Sequence, residues 1–322
     1  MRIKLWSLLG SLLLCQTVSH AVTCSLSNVS TVNFASVNPL ASSGSTTSMT
    51  FNYSCAKELG DVLAGINLCF NIGNSSVSGQ VATRSMSSAG LPANMLNYQL
   101  YQNAGNTIIW GSQYQPGTTF PMVQIPLLNL TPVTGSMTIY GQVPTPQLSS
   151  VPGRFQDNYT AATSIVTLNI GLLAPPTTCG NTIVATFPFN VTAMVVKQCN
   201  INYANNINFG SVNSNQTNLT AFTTLGVACT NNTPYTIGLA PSNSNTAGSG
   251  IMKGTGSNID TVPYQLRSTS GLTGTAWGNT TQNTVSGTGN GSTIPYVVYG
   301  TVSSANYIPD SYSDTVTVNV TY

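Results

Sequence analysis

Alternation of apolar and polar side chains along residues 183–197 predicts a strand with one buried face. Phe187, Phe189, Val191, Ala193 and Val195 occupy every second position of this segment, which is the period of a half-buried β-strand. Elsewhere, short apolar runs are separated by Gly, Asn, Ser and Pro, and no long stretch has the helical period. The pattern therefore predicts an all-β protein built from many short strands.

Six sequence features occur twice in the same order, which predicts two homologous domains at residues 22–197 and 198–322. Their strand spacing is typical of immunoglobulin-like β-sandwiches. The matched pairs are Thr23–Asn38 with Gln198–Asn213, Cys55 with Cys229, Asn97–Leu100 with Pro263–Leu266, Trp110-Gly111 with Trp277-Gly278, Tyr140-Gly141 with Tyr299-Gly300, and Ser164–Ile170 with Asp314–Val320.

The alternating segment 183–197 follows the first repeat unit, whereas the second unit ends the chain at Tyr322. We expect this extra strand to close domain 1 and domain 2 to be left with an apolar groove and an unpaired edge. Such an edge promotes aggregation unless it is covered, and a strand donated by another chain would cover it. If the segment paired with domain 2 instead, domain 1 would be the open one.

Only Val22 and Thr23 lie between the predicted signal peptide and Cys24. A subunit that donates a strand needs a free alternating segment before its first domain. We therefore expect this chain to accept a strand without giving one, which would put it at one end of a linear polymer.

Residues 1–21 have the features of a secretory signal peptide. Arg2 and Lys4 precede an apolar run that ends at Leu14, and Ser19-His20-Ala21 forms a small-x-small cleavage site. Removal of Arg2 and Lys4 leaves six of the eight basic residues against six acidic ones. The mature chain then has no basic patch for nucleic acid and no polybasic stretch for lipid.

Seven cysteines become six when Cys15 leaves with the signal peptide, and an even number in an exported chain predicts disulfides. Equivalent positions in the two repeats suggest that Cys24 pairs with Cys55 and Cys199 with Cys229. Cys69 and Cys179 occur only in domain 1 and would form the third bond.

The residue inventory argues against an enzyme. His20, the one histidine, lies in the signal peptide, so the mature chain cannot form a Ser-His-Asp or Cys-His arrangement. The few carboxylates are scattered, and no cysteine or histidine spacing suggests zinc. We expect no catalytic residues, no metal and no cofactor.

The repeated motifs resemble the spore coat protein U domain family. The match is strong over domain 2 and partial over domain 1, where Phe34-Ala35 replaces Phe-Gly. The motifs in domain 2 are Cys199, Phe209-Gly210, Tyr264–Leu266, Trp277-Gly278, Tyr299-Gly300 and Tyr312–Val318.

That family supplies subunits of archaic, Csu-type chaperone–usher pili, and a two-domain chain resembles their tip adhesin. The resemblance implies export through the periplasm to the pilus tip at the cell surface, attachment to abiotic or host surfaces, and biofilm formation. It implies as partners a periplasmic chaperone, an outer-membrane usher and an adjacent pilin subunit that donates a strand to domain 2.

Three loops of domain 1 at residues 37–41, 89–93 and 143–152 are apolar, and loops on a rigid scaffold are the usual place for binding. A count of alternating strands puts them at one end of the sandwich. It puts the apolar insertions at 58–65 and 121–132 at the other end or along the side, against domain 2. The residues predicted to form the surface-binding loops are Val37, Leu40, Leu91, Pro92, Leu148 and Val151.

Three alternatives stay open at this point. Leu40, Leu91 and Leu148 could fold back and cap the core. The tip could bind a saccharide through its abundant Asn and Tyr side chains. The chain could also be a structural pilin or coat subunit without an adhesive role, although long apolar loops would then have no purpose.

Overall fold

The computed structural model describes residues 22–88 and 91–322, apart from the side chains of residues 91–93. The predicted signal peptide, residues 1–21, therefore lies outside the described residues. Nearly all regular structure in the described part is β-strand, with one short 3-10 helix at Leu59–Asp61. No helix in these ranges is long and apolar enough to cross a membrane.

Residues 22–197 form the larger set of strands, which we call domain 1. Their order along the chain is β1 (Val22–Ser27), β2 (Val32–Val37), β3 (Ser45–Lys57), β4 (Gly65–Ile72), β5 (Arg84–Ser88), β6 (Leu91–Tyr101), β7 (Met122–Ile125), β8 (Val133–Val143), β9 (Gly153–Tyr159), β10 (Ser164–Gly171), β11 (Thr182–Thr186) and β12 (Phe189–Val195).

Residues 198–322 form the smaller set, which we call domain 2. It contains β13 (Cys199–Ala204), β14 (Thr217–Cys229), β15 (Pro234–Pro241), β16 (Ser249–Lys253), β17 (Thr261–Arg267), β18 (Val285–Thr288), β19 (Thr293–Ser304) and β20 (Val316–Thr321).

Each domain packs two sheets around its own hydrophobic core. In domain 1 a sheet of order β1-β3-β8-β6-β5-β9-β12-β2 faces one of order β11-β10-β4-β7. In domain 2 the sheets have the orders β13-β14-β19-β17-β16 and β18-β15-β20. The core residues of the two domains form separate clusters. The prediction of an all-β chain of immunoglobulin-like sandwiches is therefore confirmed.

The repeated tryptophans have the same structural role in both domains. Trp110 donates its indole N–H to the Phe70 carbonyl, and Trp277 donates to the Ile237 carbonyl, each at 2.8 Å. Both rings are buried, and a buried indole needs such an acceptor. The Trp-Gly motif thus anchors the sandwich core.

The predicted strand at residues 183–197 is two strands, and this part of the prediction was wrong. Pro188 separates β11 from β12 because proline has no N–H for a ladder and restricts φ. β11 pairs with β10 in one sheet. β12 joins the other sheet, antiparallel to β9 and parallel to β2. Both strands stay within domain 1, so the extra segment closes this domain.

Val37 was wrongly predicted to be part of a surface loop. It is the last residue of β2 and is fully buried. Its partner in the ladder is Val195 of β12, and both side chains belong to the core of domain 1. A valine that is fully buried in the core cannot meet an external surface.

The two ends of domain 1 differ in what they face. β3 has 13 residues, about 40 Å of extended chain, and runs from Ser45 at one end to Lys57 at the other. β12 is parallel to β2 and ends beside Val37. The chain therefore leaves for domain 2 at the end where β2 finishes, which we call the linker end. The opposite end is called the distal end.

Candidate functional site

A groove of about 520 Å³ opens in domain 2 at the position that β12 fills in domain 1. In domain 1, β12 lies between β9 and β2. The repeat equivalent of β2 is Ile207–Val212, and it forms no strand. The equivalent of β9 is reduced to a single bridge between Lys253 and Ser313. Both neighbours of β12 thus have counterparts in domain 2, but the strand between them is missing there.

The residues equivalent to β2 are more exposed in domain 2 than in domain 1. Val32, Phe34 and Val37 in β2 are buried, whereas Val212 is 40% exposed and Ile207 and Phe209 are half-buried. The apolar floor of the groove comes from both sheets. It includes Leu225, Leu239, Leu266, Val298, Val316 and Val318.

A hydrogen-bonded pair marks the same wall in both domains. Strand pairing aligns Asp314 with Asp157, and not with Ser164 as the sequence repeat suggested. Tyr264 donates its hydroxyl to the Asp314 carboxylate at 2.6 Å, and both residues line the groove. In domain 1, Tyr98 donates to Asp157 beneath the closed sheet. Burial, with the hydrogen bond to Asp314, raises the pKa of Tyr264 well above its ordinary value. The Tyr264 hydroxyl therefore remains a donor at neutral pH.

Domain 1 has alanine where domain 2 has glycine, at a position with a left-handed backbone conformation. Gly210 has φ +73° and its repeat equivalent Ala35 has φ +52°. Glycine occupies this left-handed region freely, whereas alanine is strained there. In domain 1 the strain is held by pairing of β2 with β12, which has an irregular register at this point.

Three loops meet at the distal end of domain 1, at residues 58–64, 126–132 and 172–181. We call them the first, second and third distal loops. The Leu128 amide donates to the Val62 carbonyl at 2.7 Å, which joins the first two. The third packs so closely on Gly65 that a Cβ there would lie 2.2 Å from the Pro175 nitrogen. The three loops therefore form one continuous surface.

Six leucines of these loops face water, and we call them the distal apolar surface. They are between 39% and 89% exposed. The loops contain two charged residues, Glu58 and Asp61, and Asp61 is buried. The six residues are Leu59, Leu63, Leu128, Leu130, Leu172 and Leu173.

The backbone of Leu128 has φ +60°, a left-handed conformation that leucine seldom adopts. Such a conformation costs a residue with a Cβ about 1–2 kcal/mol. Neither this cost nor the exposure of six leucines helps the domain to fold. Contiguous exposed apolar area of this kind is typical of a binding surface.

Disulfides pair Cys24 with Cys55, Cys69 with Cys179, and Cys199 with Cys229, as the repeat suggested. The second bond has a distal location. Cys179 belongs to the third distal loop, and Asn67 and Asn169 both donate to the Thr178 carbonyl beside it. This loop is therefore fixed at its base to β4 and β10.

The loops that were predicted to bind lie together, but at the linker end. Ser45 pairs with Val143, which puts the loops at 38–44 and 144–152 side by side. Ser150 and Val151 bond to the start of β6. The residues predicted from the sequence therefore share an end, as expected, but this end leads to domain 2.

The loop at residues 144–152 contacts domain 2. Asn231 donates to the Ser149 carbonyl at 2.8 Å, and a Cβ on Gly291 would lie 2.1 Å from the Leu148 carbonyl oxygen. Leu148 is 38% exposed, while Leu40 and Val151 are half-buried. Leu91 and Pro92 lie in β6, and their side chains are outside the described residues. Ala89 and Gly90 are outside them altogether.

The insertions at 58–65 and 121–132 were expected at the other end or along the side, against domain 2. They do lie at the end opposite the predicted binding loops, but this end faces away from domain 2. Most of their apolar residues belong to the distal end. Because β12 runs parallel to β2, the linker to domain 2 starts beside the β2–β3 loop and not at the distal end. The third distal loop was not among the loops expected to bind. The signal for it was Leu172-Leu173, two adjacent leucines that follow a strand and precede Pro175-Pro176.

Comparison with known proteins gives a family and a fold. A family model described as the Spore Coat Protein U domain matches residues 11–162 and 185–319. No curated protein matches the chain. A chain of the CsuC–CsuE complex, a chaperone and tip adhesion subunit of archaic Csu pili from Acinetobacter baumannii, is 18% identical with a TM-score of 0.53. The alignment covers 93% of this chain and 100% of that one.

Two weaker structural likenesses are to other adhesins. The CupB6 tip adhesin of Pseudomonas aeruginosa is 12% identical with a TM-score of 0.37, over 94% of this chain and 96% of that one. CfaE, the adhesive subunit of the CFA/I fimbria of enterotoxigenic Escherichia coli, is 10% identical with a TM-score of 0.34, over 92% and 93%.

Proposed function

The chain belongs to the spore coat protein U domain family, and from that premise we propose that it is the adhesive tip subunit of a chaperone–usher pilus. The distal apolar surface is the observation that carries the proposal. Six leucines face water on loops whose one exposed charge is Glu58. They lie at the end of domain 1 that points away from domain 2, where a pilus tip would meet a surface.

Adhesion through this surface needs no specific ligand. Each leucine that leaves water against an apolar solid gains roughly 1.5–3 kcal/mol when fully buried. Several leucines on one rigid end act together, and many pili on one cell add their contacts. The substrate class is therefore an apolar abiotic or host surface, and the cellular result is attachment and biofilm formation.

The groove of domain 2 supplies the attachment to the pilus. Its apolar floor and its wall at Ile207–Val212, which belongs to no strand, fit a strand with alternating apolar residues. We assign this strand to the adjacent pilin subunit. A periplasmic chaperone would cover the groove before assembly at an outer-membrane usher, and the complex of the Csu tip subunit with its chaperone is consistent with that partner.

A saccharide-binding tip is the second candidate. It is favoured by a hydroxyl-rich depression on β1, β3 and β8, where Ser25, Asn52 and Thr134 surround Tyr53. A sugar site normally presents a free aromatic face, but the Tyr53 ring packs on Phe70 with centroids 5.4 Å apart. The depression therefore lacks the stacking platform. A purely structural role leaves the six exposed leucines unexplained.

Substitution of the two most distal leucines tests the adhesive function. Leu172→Ser with Leu173→Ser removes side chains that are 80% and 89% exposed, so the fold should not change. We expect attachment of piliated cells to polystyrene to fall about tenfold or more, which corresponds to losing the contact of at least one of the two leucines. Pilus number by electron microscopy checks that assembly is normal.

Leu148→Ser at the linker end is the matched control, because it makes the same chemical change at a leucine that faces domain 2. This control should attach normally. Normal attachment by the Leu172 and Leu173 variant on normal pili would reject the apolar tip, and inhibition by a free sugar would favour the saccharide site.

A further inference from the structure

Lys57 is buried and its neighbouring leucines are exposed, which is the reverse of what folding alone would favour. Lys57 ends β3 and is only 5% exposed. Leu59 and Leu63, two and six residues later, are 80% and 65% exposed. Lysine is almost never buried unless it is paired, and leucine is among the residues most often buried. This inversion at the distal end needs a functional explanation.

The buried ammonium joins two of the distal loops. Lys57 Nζ donates to the Ala64 carbonyl at 2.7 Å and to the Pro126 carbonyl at 2.6 Å. Ala64 belongs to the first distal loop, and Pro126 begins the second. A charged donor makes stronger hydrogen bonds than a neutral one. Since carbonyls of the main chain are the acceptors, the bonds fix the course of both loops.

The negative charge of Asp61 completes this arrangement. Burial lowers the pKa of Lys57, and the Asp61 carboxylate opposes that effect. Asp61 is itself buried in the first distal loop. A carboxylate beside a buried ammonium keeps it in the charged form. The Asp61 carboxylate of the loop is thus turned inward, and Leu59 and Leu63 are turned to water.

We propose that Lys57 is a positioning residue for adhesion, which holds the first and second distal loops open so that Leu59, Leu63 and Leu128 stay in water. This inference rests on the proposed adhesive function. Without the ammonium, the two loops are free to fold their leucines against each other, because burial of apolar area is favourable. The apolar area that can meet a surface then shrinks.

The third distal loop provides an internal reference. It is held by the Cys69–Cys179 disulfide and by Asn67 and Asn169, and Lys57 has no hydrogen bond to it among the described contacts. Loss of the ammonium should therefore loosen two loops and leave the third unchanged. Global destabilisation would loosen all three.

Lys57→Met tests the proposal, since methionine has a similar length but no charge and no donor. Arg154→Met is the matched control, because it removes one positive charge from an exposed position of domain 1 and creates the same residue. Hydrogen exchange is measured on the full chain in complex with its chaperone. Attachment to polystyrene is measured per pilus on cells.

For Lys57→Met we expect the Ala64 and Leu128 amides to exchange about tenfold faster or more, the effect of losing a charge-assisted hydrogen bond. Residues 172–181 should keep their rates, and attachment per pilus should fall at least about threefold, as expected when part of the apolar contact is lost. Arg154→Met should change neither quantity. Unchanged exchange at Ala64 and Leu128, equal acceleration in all three loops, or normal attachment with loosened loops would each overturn the proposal.

Asp61→Asn serves if Lys57→Met does not fold. It preserves the shape of the side chain and removes the charge beside the ammonium. The same two amides should accelerate by a smaller factor, with the third loop again unchanged, and unchanged rates would overturn the proposal. Failure of the apolar tip itself is detected separately by the Leu172 and Leu173 variant, which leaves the Lys57 contacts intact.

Discussion

Domains 1 and 2 share a sandwich plan and differ by one strand. β12 lies between β9 and β2 in domain 1, and the same place in domain 2 is an open groove. The sequences that would flank a strand there are repeated, yet Ile207–Val212 forms no strand whereas β2 does. Strand formation in this segment therefore depends on a partner and not on local sequence alone.

β12 shows which side chains a strand buries and which it exposes when it occupies this position. β12 buries Phe189, Val191, Ala193 and Val195, and Phe189 stacks on Tyr159 with centroids 4.7 Å apart. Its outward residues Asn190 and Met194 are exposed. A strand that fits domain 2 is expected to have the same alternation, because it would lie between equivalent walls.

Disruption of β12 is expected to produce the largest difference in stability between the two domains. Val191→Asp puts an unpaired charge at a fully buried position and should lower the free energy of unfolding of domain 1 by about 3–5 kcal/mol. Domain 2 should unfold as before. Chemical denaturation of the full chain, labelled with 5-fluorotryptophan, measures both domains because Trp110 and Trp277 each report one.

Met194→Asp is the control for this experiment, because it changes the same strand on its exposed face. It should cost less than about 0.5 kcal/mol, the usual range for surface substitutions. Equal effects of the two changes would mean that β12 does not close domain 1.

Acid should lower the stability of domain 2 more than that of domain 1, and this difference should be smaller than the effect of disrupting β12. Burial raises the pKa of Asp314, but hydrogen bonds from Ser242, Tyr264 and the Thr315 amide outweigh it and hold that pKa below its ordinary value. Hydrogen bonds from Thr255 and Asn258 hold the pKa of exposed Asp310 far below its ordinary range. Both carboxyls belong to domain 2.

A carboxyl with a lowered pKa in the folded state stabilises the fold above pH 3.8, and this stabilisation is lost as the pH falls below that value. For Asp314 the effect should be below about 1 kcal/mol, since solvent screens a partly exposed group. In an acid titration the Trp277 fluorine signal should therefore change at a higher pH than that of Trp110. The reverse order would contradict the assignment.

Much of the fold could be predicted because it depends on local periodicity and repetition. The repeat predicted two sandwiches, and the structure contains the cysteine pairs that equivalent positions suggested. The break at Pro188 was missed even though proline disfavours a continuous ladder. Alternation on both sides of Pro188 dominated the interpretation, and only the tertiary fold shows that β11 and β12 belong to different sheets.

The location of the binding surface could not be predicted because it depends on long-range geometry. Which end of domain 1 faces domain 2 is set by the parallel pairing of β12 with β2, and the sequence does not specify parallel pairing. Val37 was apolar and adjacent to a loop, but its pairing with Val195 buries it. Lys57 gave no signal, since burial of a single lysine follows from loops that meet only in the folded domain.

Hydrogen exchange of two equivalent segments in one chain tests the central claim most directly. In the dilute chain from Val22 onward, the amides of Val32–Val37 should exchange at least about a hundredfold more slowly than those of Ile207–Val212, because only the first segment is paired in a core sheet. A peptide with the sequence of residues 186–197 should slow exchange in the second segment and leave the first unchanged. Equal protection of the two segments before any peptide is added would contradict the claim that domain 1 is closed and domain 2 is open.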